Sequence, residues 1–412
     1  MAQRRAGLLR ATLTLLAGGV LAQALPLLLG PWLTRLYLPE EFGHYTVFAA
    51  VVANVAVVAC GRYEFALPLA RDEIEARDLM ALCLRVLVAV IALAVLLTGA
   101  IALAGAPAYW LWLPLAVAVA GAVQWFTLWA TRAERFAALS AGRFTQYGGG
   151  ALVQVAGGLA QLGTSGLVMG PVVAGAAALG WLRRPAPSGG WRHLWRVPRA
   201  AWVAAARRYR EFPLLNTPHA FAGALQDTLA VALLVGFTGE AAAGFWGLAL
   251  RYLKAPASLI GGAVSQALYP RLVGASPAQA RAAVRRVMGT LALVALPLVL
   301  LLMLFGPELF ALAFGEPWRE AGVLARALGP YIGVHFIASP LAVVTLAWRA
   351  QAWALKFALI GQVMFVAALA AGLRYGGLEG GAWAVSAVMM LYFGWYFWSL
   401  ATWRHATDVD AA

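Results

Sequence analysis

Two cations interrupt one of the most apolar stretches of the chain: Arg251 and Lys254, in "WGLALRYLKAPASLIGG" (246–262). On a helix, a separation of three places both side chains on one face. A guanidinium grips phosphate or carboxylate through two parallel hydrogen bonds, and an ammonium adds a point charge. The pair therefore reads as an anion site. Asp227, in "LQDTLAVALL", is the obvious counter-charge. A second constellation, Arg62 and Glu64 in "GRYEF", sets a cation and an acid two residues apart. His219 and His335 are lone histidines in apolar surroundings, read as hydrogen-bonded structure or as proton relays. Gln124, Gln154 and Gln161 offer hydrogen bonds to hydroxyls or to neighbouring helices. No cluster of Cys, His and acids has metal-ligand spacing, and no Gly-rich phosphate loop precedes Lys-Ser or Lys-Thr. No metal or cofactor is implied.

The elements that hold these residues follow from composition. The chain has 412 residues, 63% hydrophobic and 12% charged, with a mean hydropathy of +0.78. An ordinary soluble domain carries about 25% charged residues. This chain has too little polar surface to face water and reads as a polytopic membrane protein. Cys60 and Cys83 both lie in apolar runs, so no disulfide framework is expected. The basic start and "AQA" suggest a signal peptide, but the apolar run from about 11 to 33 exceeds the ~7–15 residues of a signal core. It reads as an uncleaved first span.

A membrane helix needs ~20 mostly apolar residues. Twelve such stretches occur, near 11–34, 42–68, 79–104, 109–130, 144–163 and 165–182, then 214–236, 241–270, 287–306, 321–347, 353–373 and 380–402. With the N-terminus in the cytoplasm, most of the 31 Lys and Arg fall on the cytoplasmic side. Only Arg35, Arg319, Arg326 and Arg374 face outward, and Arg62, Arg251 and Lys254 remain within spans. That skew obeys the positive-inside rule and places both termini in the cytoplasm. It explains the net charge of +14 without nucleic acid.

The long break "RRPAPSGGWRHLWRVPRAAWVAAARRYREF" separates the two sets of spans. The expected organisation is an N-terminal six-helix lobe (1–183), a basic linker with an interfacial helix (184–212) and a C-terminal six-helix lobe (213–412). Its Trp-rich, basic latter part suits a helix in the headgroup layer, with a lipid-sensing or regulatory role as the alternative. Weak internal similarity supports a parallel repeat: "EEFGHYTVFAA" against "EAAAGFWGLAL", and "TLWATRAERFAAL" against "TLAWRAQAWAL". Repeat-built transporters bind at mid-membrane, at the repeat interface.

"GRYEFALPLARDEIEARDLMALCL" (61–84) resembles the Arg-Tyr-Glu segment and acidic loop of bacterial polysaccharide transporters. "RFTQYGGGALVQVAGGLAQLGTSGLVMG" (143–170) resembles their fifth and sixth spans. "ARRYREFPLLNTPHAF" and "GEAAAGFWGLALRYLKAPASLIGGAVSQALYPRL" are similar to the start of their second half. The resemblance covers roughly 10–405 and points to the lipid-linked oligosaccharide flippases of the multidrug/oligosaccharidyl-lipid/polysaccharide exporter superfamily. It implies an all-α membrane protein whose two six-helix lobes flank a V-shaped central cavity, lined by spans 1, 2, 7 and 8. It also implies a function: carrying undecaprenyl-pyrophosphate-linked oligosaccharide across a bacterial inner membrane, for lipopolysaccharide or exopolysaccharide assembly. Lipid II flippases of the superfamily have fourteen spans, two more than expected here.

In that frame Arg251 and Lys254 lie ~15–20 Å along span 8, near the middle of a ~30 Å core. A central Arg or Lys costs roughly 2.5–3.5 kcal/mol facing lipid and far less facing water. A watery cavity, with the pyrophosphate or an acidic sugar as ligand, is the expected setting; a structural ion pair with Asp227 is the alternative. Asp227 is also a candidate site for a coupling H+ or Na+, as the resemblance implies. Arg62, nearer the cytoplasmic surface, either snorkels to the headgroups or makes a second substrate contact, with Glu64 as its partner. Membrane lipids would surround the carrier's polyprenyl tail. Two rival functions are a multidrug-type antiporter of organic cations, disfavoured by a cationic site, and a membrane glycan polymerase or ligase. The latter would need a sizeable outer loop with catalytic polar residues, and the longest one, "GPELFALAFGEPWREAG", is short. No enzyme activity is expected.

Overall fold

The computed structural model describes residue 19, residues 21–187 and residues 190–403. Arg4, Arg5, Arg10 and Arg404, the start of the first expected span and the side chain of His219 lie outside the described residues. All regular structure among the described residues is helical, and the chain divides into two compact units, Met1–Thr228 and Leu229–Ala412.

The first unit opens with α1 (21–36) and α2 (Pro39–Val57). A 3-10 turn (Tyr63–Leu69) then leads to α3 (Glu73–Leu103), α4 (Leu113–Arg132), α5 (Phe136–Leu159) and α6 (Thr164–Leu182). The connector holds a second 3-10 turn (Trp191–Arg196) and α7 (Arg199–Arg208), and α8 (Thr217–Thr238) carries the division between the units. The second unit continues with α9 (Glu240–Val273), α10 (Pro277–Phe314), α11 (Arg319–Ala338), short α12 (Ala342–Ala347) and α13 (Gln351–Ala401).

By length and composition, seven helices among the described residues are able to cross a membrane. The last of these, α13, is two helices. Gly377 (φ 59°, ψ −154°) reverses the chain, a backbone setting open mainly to glycine. A Cβ at Gly372 would lie 2.7 Å from Gly381 Cα, so the halves meet closely. Tyr392 donates to the Phe357 carbonyl at 3.0 Å, across the same hairpin. The twelve expected spans thus each find a helix, α12 closing the tenth span after α11 and α7 standing apart.

Two of the span edges that differ have a clear local cause. The second span ends at Val57 rather than 68, because Gly61 (φ 60°) and Arg62 (φ 63°) are both left-handed and stop the helix. The ninth starts at Pro277, well before 287, on a capping box between Ser276 and Gln279. Its polar first turns are helical, which hydropathy does not register. The connector docks lengthwise on α3. Arg85 donates to the carbonyls of Leu194, Trp195 and Val197, each at 3.2 Å, and its guanidinium sits 5.2 Å from the Trp202 ring. Arg208 meets Glu75 at 3.0 Å. Burial, then the hydrogen bond to Glu75, pushes the nearby Tyr209 hydroxyl above its ordinary pKa.

The tightest crossing joins α5 and α6, the pair separated only by "LGTSG". Gly166 and Gly170 form a small-xxx-small face that lets backbones approach closely. A Cβ at Gly157 would stand 2.7 Å from Gly166 Cα. Gln154 donates to the Leu167 carbonyl at 2.9 Å, and Tyr37 donates to the Gln154 carbonyl at 2.7 Å. A side chain at 166 would collide with Gly157 and the Tyr37 hydroxyl, whereas one at Gly180 meets nothing within 4 Å. Gly166→Val should destabilise the protein by about 1–3 kcal/mol through overpacking, and Gly180→Ala should not. Thermal unfolding followed by size-exclusion recovery distinguishes them.

Candidate functional site

The rotation of α9 is set by what its buried face grips. Trp246, Leu248, Ala249, Leu253 and Ala257 are buried. Trp246 packs edge-on against Phe365 of α13 (6.3 Å), Phe245 against Trp318 (5.9 Å), and Tyr252 against Phe314 of α10 (4.6 Å). These contacts leave a less-buried polar stripe, Arg251 and Lys254 half-buried, followed by Ser258, Gly262 and Gln266 exposed, beside an apolar line that exposes Ile260, Ala263 and Ala267. At steps of three and four residues they share one face. A face turned to acyl chains would be apolar; this one carries an Arg, a Lys, a Ser and a Gln. Arg251 and Lys254 stand ~17 and ~21 Å from the start of α9 at 1.5 Å per residue, and Pro256 removes one rung of the helical ladder beside them.

His335 lies in the last turn of α11. Its ring is seated between Tyr331 (5.8 Å) and Phe393 (6.3 Å), and its Nδ1 is buried without a hydrogen bond. The aromatic seat accounts for its position.

In the first unit the 3-10 turn after α2 presents Arg62 and Glu64. The two are near in sequence, yet the Glu64 carboxylate takes its hydrogen bond from Gln124 of α4, at 2.6 Å. Glu64 is 1% exposed, and its Oε2 and the Arg62 Nε are both buried without partners. The Arg62 guanidinium lies 4.6 Å from the Phe65 ring, a cation–π contact. Arg132, at the end of α4, fixes the turn from below by donating to the Ala70 carbonyl (2.6 Å), the Leu67 carbonyl (3.3 Å) and the Asp72 carbonyl (3.2 Å). A buried carboxyl held by one amide is positioned to exchange a proton or to meet a cation.

Asp227 is exposed on α8. It belongs to the first unit, and Arg251 and Lys254 to the second. Its neighbour Thr228 is held by Asn54 of α2, which also donates to the Ala224 carbonyl at 3.0 Å and the Ala50 carbonyl at 3.1 Å. Asn54 went unnoticed in the sequence, although it is the one amide in the apolar run "FAAVVANVAVVAC". Of the three glutamines, Gln124 and Gln154 bond between helices, while Gln161 sits in a left-handed turn after α5 (φ 55°).

The fold is that of a multi-pass helical membrane protein. A solved structure of a multidrug resistance MATE family transporter of the MOP superfamily, in an inward-facing conformation, is similar over 96% of both chains, at 14% identity and a TM-score of 0.71. The lipid II flippase MurJ in an inward closed conformation is similar over 95% of this chain and 90% of its own, at 12% identity and a TM-score of 0.67. The Vibrio cholerae MATE transporter VcmN covers 98% of this chain and 97% of its own, at 17% identity and a TM-score of 0.53. At such identities the likeness is one of fold. No curated protein sequence matches the chain. The family described as polysaccharide biosynthesis protein matches residues 32–322, and the chain belongs to that family.

Replacing Gln124 with Leu would leave the buried Glu64 carboxylate without its donor. The expected loss is about 1–3 kcal/mol, read as a lower unfolding midpoint, and Glu64→Gln in the same background should restore most of it.

Proposed function

We propose that the protein is a flippase that carries undecaprenyl-pyrophosphate-linked oligosaccharide from the cytoplasmic to the outer leaflet of a bacterial inner membrane, both termini lying in the cytoplasm. The observation that carries the reading is the polar stripe of α9, headed by Arg251 and Lys254. Its chemistry suits a phosphorylated or acidic headgroup: the guanidinium fork takes two phosphate oxygens and the ammonium a third. Membership of a polysaccharide biosynthesis family supports a glycan cargo, and the flippase likeness supports a lipid-linked one. Arg62 is assigned a second contact with the headgroup on the cytoplasmic side. Asp227 and Glu64 are assigned the coupling ion, H+ or Na+, that drives alternation between inward and outward access.

The likeness to MATE transporters favours a second reading, export of organic cations. A stripe bearing two cations repels such cargo. Lipid-linked oligosaccharide should raise the unfolding temperature of the purified protein where cationic drugs do not; the reverse pattern would establish the second reading.

Arg251→Ala and Lys254→Ala should each lower translocation of fluorescent lipid-linked oligosaccharide in proteoliposomes about 10–100-fold, the loss of one charge-assisted contact of about 1.5–3 kcal/mol. Normal translocation by both variants would remove the site. Asp227→Asn should change the pH dependence of transport if that carboxyl carries the proton, and an unchanged profile would leave it structural.

A further inference from the structure

The docked connector carries a surface that transport does not use. Arg85 is the last charged residue of α3 before its apolar run, and residues 86–103 contain no charge. That run rises about 27 Å at 1.5 Å per residue, close to the ~30 Å thickness of a hydrocarbon core. Arg85 therefore marks the level at which hydrocarbon gives way to headgroups. The carbonyls it binds belong to Leu194, Trp195 and Val197, so this part of the connector lies at the same level. From there α7 runs back along α3 toward Glu75, where Arg208 pairs.

The two faces of this segment differ sharply. Leu194, Val197 and Ala205 are buried against the first unit. Arg192, Trp195, Arg196 and Arg199 are exposed, with Trp195 at 56%. Among the described residues no acid pairs with these three arginines. The nearby acids, Asp72, Glu75 and Asp78, line a cavity of about 400 Å³ with Arg71, Arg208 and Ala201 of α7, and Glu75 lies roughly 15 Å from Arg85 along α3. A basic strip with an exposed indole, held at headgroup depth, matches an anionic leaflet in charge and an interface in polarity.

We propose that Arg192, Trp195, Arg196 and Arg199 form a docking surface for the acidic phospholipid headgroups of the adjoining leaflet, with Trp195 as its interfacial anchor. The guanidinium groups take headgroup phosphates, and the surface holds the connector at a fixed depth while the helices it joins move. Anchoring depends on lipid charge and weakens with salt.

The test uses the full-length protein in nanodiscs, with a bimane label placed through Ala200→Cys, an exposed site beside Arg199. The native Cys60 and Cys83 are buried. Quenching by head-labelled doxyl phosphatidylglycerol should exceed quenching by doxyl phosphatidylcholine at least twofold at low salt. The excess should fall in 0.5 M salt and vanish in Arg192→Gln/Arg196→Gln/Arg199→Gln. Trp195→Ala should reduce quenching by both lipids. Equal quenching by the two lipids, or a preference that survives the triple substitution, overturns the proposal. Each variant's unfolding midpoint is measured alongside, and any single Arg→Gln variant that keeps the parent midpoint should show a partial loss of the preference. This outcome is independent of the cargo, which the α9 variants report.

Discussion

An ionised side chain at the centre of a ~30 Å hydrocarbon layer costs roughly 2.5–3.5 kcal/mol on insertion scales, and an unpaired backbone group several more. Most of this structure follows from how the chain meets that cost. Where helices must touch, it uses glycine, so that backbones of α5 and α6 approach without stranding polar groups. Three amide side chains within the helices are given partners: Gln154 a carbonyl of α6, Asn54 a carbonyl of α8, and Gln124 the Glu64 carboxylate. The stripe of α9 is the most polar of these faces: it sets Arg251 and Lys254, half-buried, above the exposed Ser258, Gly262 and Gln266.

The basic residues near the helix ends do a second task beyond orientation. Arg132 caps the carbonyls that end the turn bearing Glu64; Arg135 donates to the carbonyls of Trp181 and Arg184; Arg285 donates to the Ala401 carbonyl at the end of α13. The last carbonyls of a helix have no partner within it, and a guanidinium, with five donors and favourable charge at a helix C-terminus, satisfies several at once. A charge tally assigns these arginines to one side of the membrane. Packing shows that these three also tie helix ends to their neighbours.

The fold was legible where the signal is local. Apolar runs located the helices, and the violation of one run by Arg251 and Lys254 located the stripe. What hydropathy missed depends on partners distant in sequence or on polar helix. The first turns of α10 are helical through a capping box, not through apolarity. The division of α13 rests on one glycine torsion. Glu64 meets a glutamine sixty residues away, and no spacing rule pairs them; Arg62, two residues off, was the natural expectation. Asn54 was visible as a lone amide in an apolar run, the same kind of anomaly that exposed the cations.

Glu64 and the α9 stripe pose complementary problems. The carboxyl is fully buried and held by a neutral amide, so nearby charge decides between its protonated and ionised forms. The Arg62 guanidinium, half-buried over Phe65, is the cation in the same turn. An anionic headgroup that engages Arg62 would lower the positive charge felt by Glu64 and so favour its protonated form. Cargo and proton would then be linked through one left-handed turn, reciprocally, as any pair of coupled ligands must be. Nothing in that linkage needs the two residues to touch. It needs only that Gln124 keep the carboxyl in place while its charge changes, and an amide, able to donate to the carboxylate or accept from the acid, is the side chain that permits both.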